Sequence, residues 1–158
     1  MPRHLTPRRL GPDDDLAPVL ALIHAAFAPM AGLVDPPSSA AALDAAALGA
    51  MARDAELWVM EDDGAPVAAM ILSPRPGCLH VGKLAVAADR RGEGHARRMI
   101  DHAARRARAL GLGQLELQAR VELAGNHAAF RALGFVEAGR TAHPGYDRPT
   151  SITFRRPV

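Results

Sequence analysis

The sequence predicts an α/β fold of the α+β type: a single mixed, mainly antiparallel central sheet of about six to seven strands with helices on both faces. Three observations carry this. Two apolar stretches flank the turn Asp62-Asp63-Gly64, a helical pattern over residues 92–110 follows a third strand, and a strictly alternating stretch near Leu115 leads through a short helix into two more strands. The predicted order is β-α-α-β-β-β-α-β-α-β-β. At 158 residues the chain reads as one domain, 1–158, long enough to bury its own core without staples.

The elements follow in order. Pro12-Asp13-Asp14-Asp15 offers an N-cap and first-turn acids, and Leu16, Val19, Leu20, Ile23 and Phe27 recur at helical spacing behind it. Pro18 falls in the first turn, where a missing N–H costs little. Residues 28–37 have no period and contain breakers, so they form a loop, long enough to suggest a role in function. An Ala-rich helix is expected over 38–53. Glu56 to Glu61 and Pro66 to Leu72 form a hairpin around Gly64, which supplies the positive-φ position. A third strand covers 79–86. In the helix over 92–110, Ala96, Met99, Ile100, Ala103, Ala107 and Leu110 share one face and arginines the other. Leu115, Leu117, Ala119 and Val121 alternate with Glu116, Gln118 and Arg120, the period of a half-buried strand. A helix over 126–133 ends at Gly134, and strands over 135–141 and 151–155 complete the chain.

Composition narrows the function classes. Apolar residues make up 49% and charged residues 23% of the chain, and no apolar run approaches a membrane span, so no membrane partner is expected. The basic opening, Met1 to Arg9, has no apolar segment behind it, which points to the cytoplasm. Cys78 is the only cysteine and has no thiol partner at metal-ligand spacing; it reads as a small core residue, and no metal site is expected. A net charge of +2 is too small to argue for nucleic acid, and Arg105-Arg106-Ala107-Arg108 reads as a solvated helix face.

The chemistry concentrates after the strand ending Leu84-Ala85-Val86, where a Gly-rich turn opens the long helix. Small residues let backbone N–H groups approach phosphate oxygens, and the helix dipole favours their charge. A phosphate-bearing ligand is implied. The Walker pattern is absent, and Gly92-Glu93-Gly94 lacks the third glycine and first-strand context of a dinucleotide turn.

Arg91-Gly92-Glu93-Gly94-His95-Ala96 resembles the coenzyme A signature of the GNAT family of N-acetyltransferases, with Leu84-Ala85-Val86 like the strand before it. Asn126, Phe130 and Leu133-Gly134-Phe135 resemble the second landmark of that family, and the order of motifs matches over essentially the whole chain. The resemblance implies acetyl-CoA as acetyl donor, held at Arg91 to Ala96, with Arg97 beside a phosphate. It implies that the strands containing Leu84 and Leu117 splay to admit the pantetheine arm. Leu84, Ala85 and Val86 would bond the arm through their backbone, Asn126 would bond it and Phe130 would pack on it.

Two departures from the family pattern bear on mechanism. Phe130 stands where many members carry a tyrosine acid, and Gly82 where many carry a glutamate base. His80, two residues from Gly82 on the same face, is the candidate base, with an unperturbed pKa of about 6.5; Glu122 is a second. Tyr146, the only tyrosine, is either a substitute proton donor or an acceptor contact, on a loop stiffened by Pro144, Gly145 and Pro149. Phe27, Asp35, His143 and Tyr146 are the expected acceptor-side residues. The function expected is direct acetyl transfer to an amine of a small molecule or peptide. The alternative is a non-catalytic acyl-CoA-binding or protein-interaction module on the same fold. A homodimer is compatible with either.

Overall fold

The computed structural model describes residues 5–158; residues 1–4, the start of the basic opening, lie outside the described residues. The strands are β1 (Arg8–Leu10), β2 (Glu56–Asp62), β3 (Ala65–Arg75), β4 (Cys78–Val86), β5 (Gln114–Arg120), β6 (Val136–Thr141) and β7 (Ser151–Pro157). The α-helices are α1 (Ala17–Phe27), α2 (Ala45–Asp54), α3 (His95–Ala109) and α4 (Ala124–Ala132). All seven strands form one sheet in the order β1-β2-β3-β4-β5-β7-β6, antiparallel except where β4 meets β5. The predicted class and element order therefore hold. Among the described residues, no helix is long and apolar enough to cross a membrane.

The alternation of the strands divides the core in two. On β3, Ala68, Met70 and Leu72 face α3, while Ala69 and Ile71 face α1 and α2. Met99 and Ile100 of α3 are fully buried against the first face, each contributing about 2–3 kcal/mol by transfer from water. Phe130 of α4 packs against Phe135 and Phe154 on that same face. Cys78 is buried, as its small apolar character requires.

Local chemistry moves several expected boundaries. The helix expected over 38–53 is broken: a 3-10 turn, Ser39–Ala42, precedes α2, because Asp44 takes an extended conformation and accepts from the Ala47 N–H at 2.8 Å. The acids before α1 lie outside its first turn, Asp14 accepting from Gly11 N and Asp15 from Ala17 N. The long helix starts at His95 rather than Gly92, since Gly92 and Gly94 have φ of 81° and 82°. The 105–108 stretch is only partly solvated: Arg106 donates to both oxygens of buried Glu56, at 2.9 and 2.7 Å, and covers the Trp58 ring. The hairpin turn is as expected, with Asp63 and Gly64 both at positive φ.

Two irregularities of β4 shape the rest of the molecule. Ala69 pairs with Ala85 but Ile71 with Gly82, so Lys83 and Leu84 together oppose Met70. This is a β-bulge, with Lys83 in the left-handed region at φ 50°. In addition, β4 pairs with β5 only at Leu79–Leu115 and His80–Glu116. Beyond His80 the two strands part, and a cleft opens in the middle of the sheet.

Candidate active site

The cleft encloses a cavity of about 330 Å³. Its walls come from β4 (His80, Gly82, Lys83, Leu84), β5 (Leu117, Ala119, Arg120) and α4 (Asn126, Phe130), closed by Phe27 and Ser39 on one side and His143 on the other. On the edge of 84–86 turned away from β3, the backbone has no strand partner, because β5 has already left. Of these three residues only Leu84 lines the cavity; Ala85 is buried, and Val86 is paired with Ala68.

The Gly-rich turn sits at the end of β4 as a separate, preorganised site. Gly94 caps α3 without a side chain, and the first intrahelical bond runs from Arg98 N to Gly94 O, so the N–H groups of His95, Ala96 and Arg97 have no helical acceptor. Arg91, Gly92, Glu93 and Gly94 are exposed. The Glu93 carboxylate is neutralised rather than aimed at the cradle: Arg90 donates to it at 2.9 Å and His95 Nε2 at 3.0 Å, and these partners, Arg90 foremost, hold it below the usual carboxylate range. Arg90 also grips Asp62 at 3.0 Å, tying the turn to the hairpin. Open donors at a helix N-terminus, a cancelled local acid and an Arg91 with no carboxylate partner within ion-pair distance among the described residues fit the pyrophosphate of coenzyme A.

Two residues expected to touch phosphate are engaged elsewhere through their side chains. The His95 ring is 3% exposed, donating to Glu93 through Nε2 and accepting from Arg98 at Nδ1, so only its backbone faces the turn. Arg97 donates to Ala132 O at 3.3 Å, bridging α3 to α4.

His80 lies where the strands begin to part. A Cβ at Gly82 would stand 3.7 Å from His80 Cδ2 and Nε2, so the missing side chain leaves that edge of the imidazole uncovered within the cavity wall. On its other edge, Nδ1 is 3.5 Å from Glu116 Oε1, a charge contact rather than a well-formed hydrogen bond. Burial, followed by the nearby Arg75, pushes the His80 pKa below its ordinary value, and Glu116 opposes this only in part. The imidazole is therefore neutral at pH 7. Glu116 is itself buried and holds Arg75 and Arg155, at 3.3 and 3.1 Å.

The acceptor-side residues divide. Phe27 and His143 line the cavity, His143 being fixed by Thr150 Oγ1, which bonds both its N–H and its ring. Asp35 and Tyr146 do not line it. The Tyr146 hydroxyl donates to Asp35 Oδ1 at 2.6 Å, Arg148 donates to Asp35 Oδ2, and the Asp35 N–H donates to Glu122 Oε2 at 2.9 Å. Arg120 adds bonds to Pro36 O and Pro37 O at 2.7 and 3.1 Å. Together these clasp the loop between α1 and α2, which forms an adjoining, mostly apolar cavity of about 600 Å³. The Tyr146 hydroxyl, expected as a proton donor or an acceptor contact, is engaged with Asp35, which raises its pKa. Glu122 is likewise committed to holding the loop. Sequence reasoning missed Lys83 and Arg120 as cavity residues; Lys83 carried one signal, being the only lysine.

Among the described residues, no group of three or more His, Cys, Asp or Glu converges to hold a metal ion.

No protein of curated function matches the chain by sequence. Solved structures resemble it over nearly its full length. The PaiA N-acetyltransferase from Thermoplasma acidophilum, in complex with coenzyme A, superposes with a TM-score of 0.80 at 10% identity, covering 99% of this chain and 100% of its own. A GNAT family acetyltransferase from Elizabethkingia anophelis with acetyl-CoA bound gives 0.69 at 12%, covering 98% of each chain. An IAA acetyltransferase from Bacillus cereus gives 0.69 at 16%, covering 98% of this chain and 100% of its own. At such identities the likeness bears on the fold. The sequence itself matches the model of the Acetyltransferase (GNAT) family over residues 22–135, most of the chain, and on that ground the protein belongs to this family of acyl-transferring enzymes.

Proposed function

We propose that the protein transfers the acetyl group of acetyl-CoA to an amine by direct attack of the amine on the thioester, with His80 as the base. The observation that carries this reading is an imidazole edge left open by Gly82 in the cavity wall, at the point where β4 and β5 part. Acetyl-CoA supplies the activated acyl carbon. The N–H groups opening α3, with Arg91, hold the pyrophosphate. The open backbone edge of Leu84 to Val86 bonds the pantetheine arm and polarises the thioester carbonyl, where one preorganised donor is worth about 3 kcal/mol. Asn126 bonds the arm and Phe130 packs on it.

A proton on Nδ1 toward Glu116 leaves the Nε2 lone pair of His80 to take a proton from the acceptor ammonium. A C–N bond then forms as the C–S bond breaks, the nitrogen sheds its second proton to water, and the thiolate takes its proton from water. Phe130 has no proton to give, and none is required: a thiol of pKa about 8.5 leaves as thiolate at pH 7 for about 2 kcal/mol. Phe27 and His143 stand on the acceptor side of the cavity, and Asp35 with Tyr146 acts through the loop they clasp. A panel of amines scored for free thiol release in the presence of acetyl-CoA tests the reading. Acetyl-CoA bound but never turned over with any amine would replace it with an acyl-CoA-binding module.

A further inference from the structure

The acetyl-transfer reading leaves two cavity residues without a task, Lys83 and Arg120. Both line the cleft, and no Asp or Glu does. Several cations elsewhere are neutralised: Arg8 meets Glu61, Arg75 and Arg155 meet Glu116, Arg90 meets Asp62, and Arg106 meets Glu56. Among the described residues, neither Lys83 nor Arg120 has a carboxylate within ion-pair distance. Lys83 donates to the neutral Ser39 Oγ at 2.5 Å, and Arg120 to the carbonyls of Pro36 and Pro37. Two acids of the loop clasp, Asp35 and Glu122, are engaged there, the first by Tyr146 and Arg148, the second by a backbone N–H.

The placement of Lys83 has a structural origin. It occupies the bulge of β4, in a left-handed conformation that a lysine adopts only when the surroundings impose it. The bulge sets the only lysine of the chain into the wall of the cleft that Arg120 also lines; burial, and then Arg120, lower the Lys83 pKa. Two uncompensated cations in one concave site is an arrangement that an anionic ligand relieves.

We propose that the acceptor is an amine bearing a carboxylate, as in a free amino acid, and that Lys83 with Arg120 binds that carboxylate. The proposal rests on the acetyl-transfer reading and names its substrate class. The same cations serve the chemistry, because positive charge beside the acceptor nitrogen lowers the pKa of its ammonium and eases the proton transfer to His80. They also reject polyamines, whose second positive charge would meet like charge.

The test compares amino acids, their carboxamides, the matching aminophosphonates and a polyamine as acceptors, by thiol release at saturating acetyl-CoA. Amino acids should exceed their carboxamides in kcat/KM by at least about tenfold, and Lys83→Met should collapse that ratio toward unity, while Lys83→Arg retains most of it. Aminophosphonates outperforming amino acids would overturn the carboxylate, and carboxamides or polyamines equal to amino acids would overturn the whole inference. So would a Lys83→Met variant that loses kcat on every acceptor with the ratio intact. If no amine releases thiol, the transfer reading fails by itself, and titrating amino acids and carboxamides into the acetyl-CoA-loaded protein and its Lys83→Met variant decides the inference. Carboxylate-selective, Lys83-dependent binding supports it and equal binding overturns it.

Discussion

The turn at the start of α3 and the clasp around the loop between α1 and α2 are built in opposite ways. The first is contiguous chain: Arg91 to Ala96 present backbone N–H groups, and the positive φ of Gly92 and Gly94 sets their direction. The second joins residues far apart in sequence, Tyr146 to Asp35, Arg120 to Pro36 and Glu122 to the Asp35 N–H. On the proposed function, a backbone site of this kind holds one group, pyrophosphate, whatever the acceptor is. The clasp is made of side chains, so its shape and charge change with few substitutions. The proposal thus makes the turn the generic half of the molecule and the clasp the specific half.

The contrast can be broken most strongly at Gly94. Gly94→Glu sets a carboxylate beside the pyrophosphate, and acetyl-CoA affinity should fall by at least about a hundredfold. A Cβ there meets only the flexible Arg98 guanidinium, at 3.6 Å, so the fold survives with about 1 kcal/mol of strain from the positive φ. Calorimetry giving an unchanged Kd would refute the cradle assignment.

Next comes His80→Ala, where kcat should drop by about 10²-fold or more if the imidazole is the base. Because burial and Arg75 depress the His80 pKa, the base form predominates at neutral pH, and kcat in the parent should fall on the acid side of the ordinary imidazole pKa of about 6.5. That acid limb should vanish in the variant. A retained limb with full activity would move the role to water.

Phe130→Leu should raise the KM for acetyl-CoA by about tenfold with kcat nearly constant, the signature of lost uniform binding. A large fall in kcat at saturating coenzyme would mean that the position does more than pack. The smallest effect is expected from Tyr146→Phe, which deletes one exposed bond to Asp35 and should leave stability nearly unchanged. Acceptor KM should shift by about two- to fivefold while the acetyl-CoA Kd stays constant, since the loop lies on the acceptor side. A matching shift in the coenzyme Kd would merge the two halves that the comparison separates.

The departures from expectation are as instructive as the agreements. The helix expected over 38–53 overlooked Asp44, whose carboxylate competes for a backbone donor and starts a new helix at Ala45. His95 and Arg97 share a helix N-terminus with the phosphate cradle, yet their side chains serve Glu93, Arg98 and Ala132 instead. Tyr146 reads from the sequence as either a proton donor or an acceptor contact, and its partner Asp35 is invisible from residues 143–149 alone.

By itself the sequence determined the order of elements, the hairpin at Asp63-Gly64, the buried face of α3 and the glycine turn before it, and so the family. These rest on periodicity and on backbone conformations that only glycine enters freely, interactions between residues a few positions apart. Only the tertiary structure decided where β4 leaves β5, that the extra residue of β4 is Lys83, which acids remain to neutralise Arg120, and which way the Tyr146 hydroxyl points. Each depends on strand register or on pairing between distant side chains. A one-residue change of register turns a strand's side chains to the opposite face of the sheet while leaving its local pattern intact, so no local pattern can encode it.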